Sequence, residues 1–574
     1  MGQKTNLKKA RGSWSQCPTG GVLIELRPEN AIQAPQLLNA TTKTHDMPQK
    51  KRPVVLIVRD GWGHNPHPEH NDCNAVHLAN TPVNDRLVAE YPTTQIKTSG
   101  EDVGLPPGVM GNSEVGHQNI GAGRIVNQQL MRITTAIRDG SFFENQVLKN
   151  AIEHVKKTDG TIHLLGLLSD GGVHSHVDHA IALVDFLKQN DVDGQKVVAH
   201  VITDGRDTAP KSGLEFVARL EEHLASTGIG RVGSVVGRFF AMDRDFRWER
   251  VQSAYNLLVK GEGASFTSAQ EAIQSYYDAP TSDSQSGDEF IPAACIGDGG
   301  RIQSGDAVVF FNYRGDRPRE IAKAFVLDDN AWAGVPKGGF DRGEQLSNLY
   351  FATMAEYEQG LPVEVISPTP DRMKNTLGEV LENNGLKQFR CAESEKHPHV
   401  TYFFNDYRST CFDDEMQLDI PSPKHVPTYD ALPEMSATGV TDATVNAIRS
   451  GIFDFVLINF ANGDMVGHTG SLEAATAAVE VVDASVGRIV EATMAQGGAL
   501  IVTADHGNCE QMMDPETGGP HTKHTTYEVD LIVVGENLPS SELVTGGRLA
   551  DVAPTALKLL GVEQPAEMTG QSLL

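Results

Sequence analysis

The sequence predicts an α/β protein in which buried parallel strands alternate with helices. Short apolar runs rich in β-branched residues recur from residue 53 onward, and segments with helical spacing separate many of them. Polar and charged motifs follow directly after several of these runs. Because ligands of open α/β sheets bind at the carboxyl ends of strands, the placement of the motifs predicts a functional site as well as a fold.

Eight apolar runs are predicted to be strands because each is short and rich in β-branched residues. In chain order they cover residues 54–58, 162–168, 197–202, 232–236, 308–311, 455–458, 500–502 and 531–534. Longer segments with helical spacing cover residues 178–188, 472–494 and 550–560. The polar stretch 281–288 is predicted to be a surface loop.

Length and composition are those of a globular protein with two or more domains. The chain has 574 residues, of which 39% are hydrophobic and 21% charged. A net charge of −27 argues against non-specific nucleic-acid binding and against an anionic membrane surface. No apolar run approaches the roughly 18 residues of a membrane helix. The six cysteines show no Cys-x-x-Cys spacing, so we interpret them as free thiols in a reducing compartment and predict a cytoplasmic protein.

The first fifty residues differ from the rest of the chain. They hold seven Lys or Arg against three Asp or Glu, with many Ser, Thr, Asn and Gln between them. This composition predicts a disordered extension over residues 1–47. A targeting peptide is the alternative, and Glu25 and Glu29 count against it.

Six short patterns near the two ends of the predicted fold carry candidate metal chemistry. They are Asp60-Gly61-Trp62-Gly63, Gly111-Asn112-Ser113-Glu114-Val115-Gly116-His117, Glu395-Lys396, Asp464-Met465-Val466-Gly467-His468, Asp505-His506-Gly507-Asn508 and His521-Thr522-Lys523-His524. Asp, His and one hydroxyl, with no Cys, suit Mn²⁺, Zn²⁺ or Mg²⁺ better than a thiolate site would. Each pattern alone has an ordinary explanation, because an Asp-Gly after a strand is usually a turn and a single His usually lies at the surface. The occurrence of all six patterns in one chain favours a metal site. A serine hydroxyl beside two metals is a nucleophile suited to a phosphoryl group.

The middle of the chain supplies a set of Arg, His and Asp residues close to the ends of predicted strands. The set comprises His174, Arg206, Asp207, Arg238, Arg244, Arg314 and Arg317. Arginine carries forked donors that match carboxylate and phosphate groups. A single arginine is ordinarily part of a surface salt bridge. Arg314 and Arg317, three residues apart after an apolar strand, are interpreted as anion-binding.

Together these motifs resemble those of the cofactor-independent phosphoglycerate mutases of the alkaline phosphatase superfamily, over nearly all of residues 53–574. The resemblance implies an alkaline phosphatase-like three-layer α/β/α domain that binds metal, made from residues 48–127 and 371–574. It also implies an inserted second α/β domain, residues 128–370, that binds substrate. One departure is Val109, where the family pattern has Gln, and this position touches no predicted ligand.

The resemblance further implies a site for two Mn²⁺ ions, with Mg²⁺, Co²⁺ or Zn²⁺ as alternatives, and no need for bisphosphoglycerate. One ion would be held by Asp60, Ser113, Asp505 and His506, and the other by Asp464, His468 and His524. Ser113 would carry the phosphoryl group and Lys396 would stabilise it. The substrate would be bound by His174, Arg206, Asp207, Arg238, Arg244, Arg314, Arg317 and Lys396, with Asp207 orienting a glycerate hydroxyl.

The implied reaction is the interconversion of 3-phosphoglycerate and 2-phosphoglycerate in glycolysis and gluconeogenesis, through a phosphoserine. The implied enzyme is a monomeric isomerase with no nucleic-acid or membrane partner. Two alternatives stay open. The first is a metal-dependent phosphohydrolase or sugar-phosphate mutase of the same superfamily. An assay for release of phosphate to water would distinguish it, and the Arg/His set in the middle of the chain argues against it. An inactive, metal-stabilised binding protein is the other, and the presence of all seven ligand candidates argues against that.

Overall fold

The computed structural model describes residues 52–574, so the predicted extension over residues 1–47 lies outside the described residues. The chain divides into two compact units. One combines the described residues up to Asn127 with Arg372–Leu574, and the other is Gln128–Asp371. Each unit contains an eight-stranded sheet flanked by helices, which confirms the predicted α/β fold class.

The described residues form sixteen strands and seventeen α-helices. The strands are β1 (Val54–Arg59), β2 (Thr93–Lys97), β3 (Ile162–Leu167), β4 (Val197–Thr203), β5 (Arg231–Gly237), β6 (Ala264–Phe266), β7 (Ala294–Ile296), β8 (Ala307–Phe310), β9 (Tyr350–Thr353), β10 (Glu364–Val365), β11 (Gln388–Glu393), β12 (Glu415–Ile420), β13 (Phe455–Phe460), β14 (Ala499–Thr503), β15 (Val529–Gly535) and β16 (Gly547–Arg548). The helices are α1 (Ala75–Leu78), α2 (Pro82–Glu90), α3 (Ser113–Ala122), α4 (Gln129–Asp139), α5 (Gln146–Thr158), α6 (Val177–Gln189), α7 (Gly213–Thr227), α8 (Arg238–Ala241), α9 (Trp248–Lys260), α10 (Ala269–Asp278), α11 (Arg319–Val326), α12 (Asp329–Ala333), α13 (Leu377–Asn383), α14 (Ala437–Ser450), α15 (Asn462–Gly467), α16 (Leu472–Ala495) and α17 (Val552–Leu560).

The sheet of the first unit has the strand order β12-β11-β13-β1-β14-β15-β2-β16. All neighbours are parallel except that β15 runs antiparallel to both β14 and β2. Every residue of β1, β11 and β13 is buried, as expected for strands covered on both faces. Because β11, β13, β1 and β14 are parallel neighbours, their carboxyl ends lie at one edge of the sheet.

The sheet of the second unit has the order β10-β9-β8-β3-β4-β5-β7-β6. Strands β8, β3, β4 and β5 are parallel neighbours, and β7 is antiparallel to β5. Ala307 and Val309 of β8 pack into one apolar cluster, whereas Val308 and Phe310 pack into another. This alternation places a separate core on each face of the sheet. The carboxyl ends of these four strands therefore also share one edge.

The strands and helices predicted from apolar spacing are all present. The eight strands correspond to β1, β3, β4, β5, β8, β13, β14 and β15, and the three helices to α6, α16 and α17. Helix α17 begins at Val552, two residues later than predicted, because a 3₁₀ turn occupies Leu549–Asp551. The stretch 281–288 is a loop as predicted, although its last residue, Asp288, is fully buried.

Two expectations drawn from composition have different outcomes. Cys73, Cys295, Cys391 and Cys509 are free and buried. Cys411 takes part in a disulfide bond, so the prediction of free thiols is wrong at that position, and Cys17 lies outside the described residues. Over residues 52–574, every helix is too short or too polar to span a bilayer.

Candidate active site

Five predicted site residues of the first unit follow four neighbouring parallel strands. Lys396 lies three residues beyond β11, Asp464 lies in the short helix after β13, and Asp60 follows β1 directly. Asp505 and His506 come two and three residues after β14. All five are buried, with at most 4% of each residue exposed. The strand order, which joins segments more than 300 residues apart in sequence, therefore brings these groups together at one edge.

Ser113 is the first residue of α3, the helix that supplies the candidate nucleophile. Asn112 caps the helix, and its side-chain oxygen accepts a hydrogen bond from Val115 N at 3.0 Å. The Ser113 hydroxyl lies 3.2 Å from Asp60 Oδ1 and 3.1 Å from His506 Nε2. The free N–H groups and the dipole of a helix N-terminus favour an anion at this position, so the site suits a phosphoryl group.

Lys396 links the serine to two of the carboxylates. Its Nζ donates to Ser113 Oγ at 2.6 Å, Asp464 Oδ2 at 2.6 Å and Asp60 Oδ1 at 2.9 Å. Burial alone would lower the pKa of Lys396, but the charges of Asp464 and Asp60 raise it well above its usual range. Burial would likewise raise the pKa of Asp60, yet Lys396 holds it far below its usual range. The lysine is therefore a permanent cation directly beside the candidate nucleophile.

Three histidines point one ring nitrogen at backbone and the other at the centre of the site. His468 Nδ1 lies 2.8 Å from Thr522 O, and His524 Nδ1 lies 2.8 Å from Gly111 O. Their Nε2 atoms lie 3.1 and 2.9 Å from Asp464 Oδ1. His506 repeats the pattern, with Nδ1 3.3 Å from Gly507 O. A neutral ring that donates through Nδ1 keeps its Nε2 lone pair for a metal ion, as histidine ligands ordinarily do.

The charge balance of the site fits divalent cations. Three buried carboxylates, Asp60, Asp464 and Asp505, are accompanied by a single lysine, so the centre carries excess negative charge in a low-dielectric surrounding. Asp505 Oδ2 is buried, with His117 Nδ1 3.2 Å away. Two groups have ligand atoms within 4.8 Å of one another; they are Asp464, His506 and His524, and Asp60, His117 and Asp505. Oxygen and imidazole donors in this number suit Mn²⁺, Co²⁺, Zn²⁺ or Mg²⁺.

His117 belongs to the Ser113 motif but was given no role from the sequence. It is fully buried, and its Nδ1 lies 2.8 Å from Ser113 O and 3.2 Å from Asp505 Oδ2. Its Nε2 accepts from Asn459 Nδ2 at 3.1 Å, and the same amide donates to Asp60 Oδ2 at 2.7 Å. Because both ring nitrogens have protein partners, His117 is a candidate for positioning the ligands around it rather than for binding metal itself. Its place four residues after Ser113, one turn along α3, was the available signal.

In the second unit, Arg238 and two aspartates form an ion-paired cluster after β4 and β5. Arg238 Nη1 donates to Asp204 Oδ1 and to Asp207 Oδ2, each at 2.6 Å. Asp204 also accepts from Ser169 Oγ at 2.6 Å and from the backbone N–H groups of Arg206 and Asp207. Asp204 lies two residues before Arg206 and was given no role from the sequence. It fixes the turn that carries two of the predicted substrate-binding residues.

A second carboxylate, Asp316, holds two more of the predicted arginines. Its oxygens lie 3.0 Å from Arg244 Nη1 and 3.0 Å from Arg314 Nε. The His174 ring is buried 3.8 Å from the same carboxylate. Burial and the nearby charge of Arg238 lower the pKa of His174 to about 4. His174 is therefore neutral near pH 7 and can serve as a hydrogen-bonding group at an anion site.

Arg317 differs from the other predicted arginines. Its Nη1 donates to Met242 O at 3.2 Å, and among the described residues no carboxylate lies within salt-bridge distance of it. Burial, together with Arg238, Arg244 and Arg206, lowers the pKa of Arg317. The neighbouring guanidinium groups thus create a positive potential at Arg317 that an anion would relieve. The seven predicted residues of the second unit thus lie close to one another, and we call them the candidate anion-binding cluster.

Metal binding at the first site is expected to release protons. Burial opposes the shift, but Asp505 and Asp60 raise the pKa of His506 to about 9, and a hydrogen bond to Asp464 raises that of His468. With a pKa of about 9, His506 keeps its proton at pH 7, and a bound ion must displace that proton. We expect Mn²⁺ affinity to rise by about tenfold per pH unit for each proton displaced, up to about pH 9. Activity should fall correspondingly below about pH 7.

Titration calorimetry of the metal-free protein in buffers of different ionisation enthalpy measures this release directly. The heat of Mn²⁺ binding should depend on the buffer at pH 7, and the affinity should increase between about pH 6.5 and 8.5. Buffer-independent heats together with a constant affinity over that interval would show that these histidines are not metal ligands.

This chain is similar to known proteins over most of its length. The profile of the Metalloenzyme superfamily matches residues 52–564. The 2,3-bisphosphoglycerate-independent phosphoglycerate mutase of Rhodopirellula baltica is 62% identical to this chain, covering 92% of this chain and 97% of the relative. The enzyme of that name from Clostridium beijerinckii is 48% identical, covering 91% and 99%. The crystal structure of a Leishmania mexicana phosphoglycerate mutase at low cobalt concentration aligns with a TM-score of 0.56 and 34% identity, covering 92% and 98%.

The family profile spans residues 52–564, a range that includes the second unit and most of the first. An identity of 62% across nearly the whole length of both chains leaves no large segment of the described fold outside the likeness. The chain belongs to the Metalloenzyme superfamily and, within it, to the 2,3-bisphosphoglycerate-independent phosphoglycerate mutases.

Proposed function

We propose that this chain is an isomerase that interconverts 3-phosphoglycerate and 2-phosphoglycerate by way of a phosphoserine on Ser113. The observation that carries the proposal is the position of the Ser113 hydroxyl. It lies at a helix N-terminus, 2.6 Å from the ammonium group of Lys396 and within 3.2 Å of His506 and Asp60. A hydroxyl in such surroundings is suited to accept and return a phosphoryl group.

The reaction requires two transfers. In the first, Ser113 Oγ forms a bond to phosphorus as the bond from phosphorus to the glycerate oxygen breaks, and the serine proton passes to that oxygen. In the second, the other glycerate hydroxyl attacks the phosphoserine, and its proton returns to Ser113. Lys396 and the N-terminus of α3 stabilise the negative charge on the phosphoryl oxygens in both transfers. No water enters either step, so phosphate is conserved.

Two divalent cations are proposed to complete the centre, with Mn²⁺ favoured and Mg²⁺, Co²⁺ or Zn²⁺ as alternatives. Asp60, Ser113, Asp505 and His506 would hold one, and Asp464, His468 and His524 the other. When bound, the ions supply Lewis-acid stabilisation of phosphoryl charge and lower the pKa of the serine hydroxyl. His506 lies close to residues of both ligand sets. Its Nε2 is 3.4 Å from Asp60 Oδ1 of its own set, and its ring stacks on His524 of the other set with centroids 3.9 Å apart.

The candidate anion-binding cluster of the second unit is proposed to hold the glycerate between the two transfers. Its guanidinium groups match carboxylate and phosphate oxygens, and neutral His174 adds a hydrogen-bonding group. Asp207 would orient a glycerate hydroxyl. Retaining the dephosphorylated intermediate is what separates a mutase from a phosphohydrolase, because a released glycerate leaves the phosphoserine to water.

The deciding experiment is an assay of phosphoglycerate interconversion without added bisphosphoglycerate. Turnover should be lost on treatment with EDTA and recovered on adding Mn²⁺, and inorganic phosphate should not accumulate. Release of phosphate at a rate comparable to interconversion would favour the phosphohydrolase alternative. Metal content without either activity would favour an inactive binding protein.

Arg317→Ala is expected to weaken substrate handling without altering metal content. The change removes a charged hydrogen-bond donor, which we expect to lower kcat/KM by about 30-fold to 1,000-fold, equivalent to roughly 2–4 kcal/mol. The ratio of phosphate release to interconversion should rise because the glycerate is held less firmly. Both rates and the metal content are measured on one preparation. Arg314→Ala should behave in the same direction.

Arg219→Ala is a matched control, since Arg219 of α7 forms an exposed ion pair with Asp178 of α6 in the same unit. It should leave all three quantities unchanged. If Arg317→Ala lost bound metal, or matched the control in both rates, the proposed division of roles between the two clusters would be wrong.

A further inference from the structure

Glu510 is a fully buried carboxylate of the first unit that the proposed reaction does not use. Its Oε2 accepts hydrogen bonds from the backbone N–H groups of Gly63 at 3.1 Å and Asn508 at 2.7 Å. Its Oε1 accepts from the hydroxyl of Thr525. One side chain thus joins three separate loops of the unit.

Each of these loops carries a predicted metal ligand. Gly63 lies three residues after Asp60, Asn508 two residues after His506, and Thr525 directly after His524. The loops follow β1 and β14 and precede β15, and 447 residues of sequence separate Gly63 from Glu510. Apart from the sheet itself, Glu510 is therefore a direct polar connection among three of the ligand-bearing segments.

The glycines of two metal motifs are explained by the same carboxylate. A Cβ atom added at Gly63 would lie 2.3 Å from Glu510 Cδ, and one added at Gly507 would lie 2.2 Å from Glu510 Oε1. Neither glycine has a positive φ angle. The space taken by Glu510, rather than an unusual backbone conformation, therefore requires glycine at both positions. Gly63, Gly507 and the Glu510 side chain therefore pack directly against one another.

We propose that Glu510 is a positioning residue for the metal centre. It holds the loops of Asp60, His506 and His524 in their binding arrangement before an ion arrives, so that less ordering accompanies binding. This role rests on the proposed function of the centre as a metal site. Groups that orient metal ligands ordinarily change metal affinity by about 10-fold to 100-fold when removed.

The test compares Glu510→Met with Glu510→Gln in the metal-free full-length chain, titrated with MnCl₂ in a calorimeter. Methionine fills a similar volume without accepting these hydrogen bonds, and we expect it to weaken Mn²⁺ binding by about 10-fold to 100-fold. Glutamine can keep its oxygen at the Gly63 and Asn508 amides and donate its NH₂ to Thr525 Oγ. It should therefore restore most of the affinity.

Asp551→Asn is the matched control. Asp551 is a buried carboxylate of the same unit that also accepts two backbone N–H groups, those of Arg548 and Gln571, each at 2.8 Å. It contacts none of the three loops through these bonds. We expect it to lower thermal stability while leaving Mn²⁺ affinity unchanged.

Several outcomes would overturn the proposal. These are wild-type affinity in Glu510→Met, equal losses in Glu510→Gln and Glu510→Met, or a comparable loss in Asp551→Asn. If Glu510→Met does not fold, Gly63→Ala is the second variant, because it leaves Glu510 in the chain but forces its carboxylate to move. It should weaken Mn²⁺ binding relative to Gly439→Ala in α14. Equal affinities in those two variants would also refute it. Wild-type protein that binds Mn²⁺ but lacks mutase turnover would refute the proposed reaction and leave this test intact.

Discussion

Ser113→Ala is expected to lower turnover by more than about a thousandfold while leaving the fold intact. The substitution removes the hydroxyl that is proposed to accept the phosphoryl group, so the phosphoserine cannot form. The fold should survive because Asn112, not Ser113, caps α3, and because Lys396 keeps its contacts with Asp60 and Asp464. Interconversion is measured together with intact-protein mass after addition of substrate.

The wild-type protein should show one added phosphate, and peptide mapping should place it on Ser113. Ser485→Ala is a suitable control, since Ser485 is a buried serine within α16 of the same unit. It should retain both turnover and phosphate incorporation. More than a few per cent of wild-type activity in Ser113→Ala, or incorporation at another residue, would contradict the proposed intermediate.

The strands found from the sequence are those whose side chains are almost wholly apolar. Strand β11 was missed although it lies within the first sheet and is fully buried. Its sequence, Gln388–Glu393, contains Gln388 and Arg390, which look like surface residues. In the fold Arg390 Nε lies 2.9 Å from Glu415 Oε1, and Gln388 donates to Gly378 O at 2.9 Å. Partners that neutralise a buried polar strand become visible only in three dimensions.

The candidate ligands could be predicted because each belongs to a short motif with an acid or imidazole at a strand end. Most of the groups that orient those ligands and the substrate-binding residues could not be predicted. Asn459 sits inside the apolar strand β13 and donates to Asp60, 399 residues away in sequence. Asp204 and Glu510 act through backbone amides, which leave no trace in residue type. Residues that act within a short motif can thus be predicted from the sequence. Residues that orient them from other segments can be identified only once the strand order is known.

Lys396→Met is expected to separate the electrostatic role of the lysine from its catalytic role. Removing it leaves Asp60 and Asp464 buried without their shared counter-charge, and breaking a buried pair in this way costs about 3–5 kcal/mol. The metal-free variant should therefore be strongly destabilised in the first unit. Saturating Mn²⁺ should recover most of this loss, since ions that bind only the folded state offset the same charge. Turnover should stay lower by about 100-fold to 1,000-fold because the phosphoryl oxygens lose a donor.

The pH dependence of the metal-free variant gives an independent check on this explanation. Without Lys396, burial and mutual repulsion raise the folded-state pKa values of Asp60 and Asp464 above their unfolded values. Carboxylates shifted in that direction favour the folded state at low pH and lose that contribution as pH rises through the folded pKa. The stability deficit relative to wild type should therefore shrink as the pH is lowered from about 8 toward 5.

Hydrogen exchange in β1, β13 and β14 measures the stability of the first unit directly. Lys323→Met is the control, because Lys323 pairs at 2.7 Å with the partly exposed Glu358 in the second unit and its loss should cost at most about 1 kcal/mol. A deficit in Lys396→Met that is independent of pH and insensitive to Mn²⁺ would indicate lost packing of the lysine stem. A deficit that both protons and Mn²⁺ relieve identifies Lys396 as the cation that balances the carboxylates when no metal is bound.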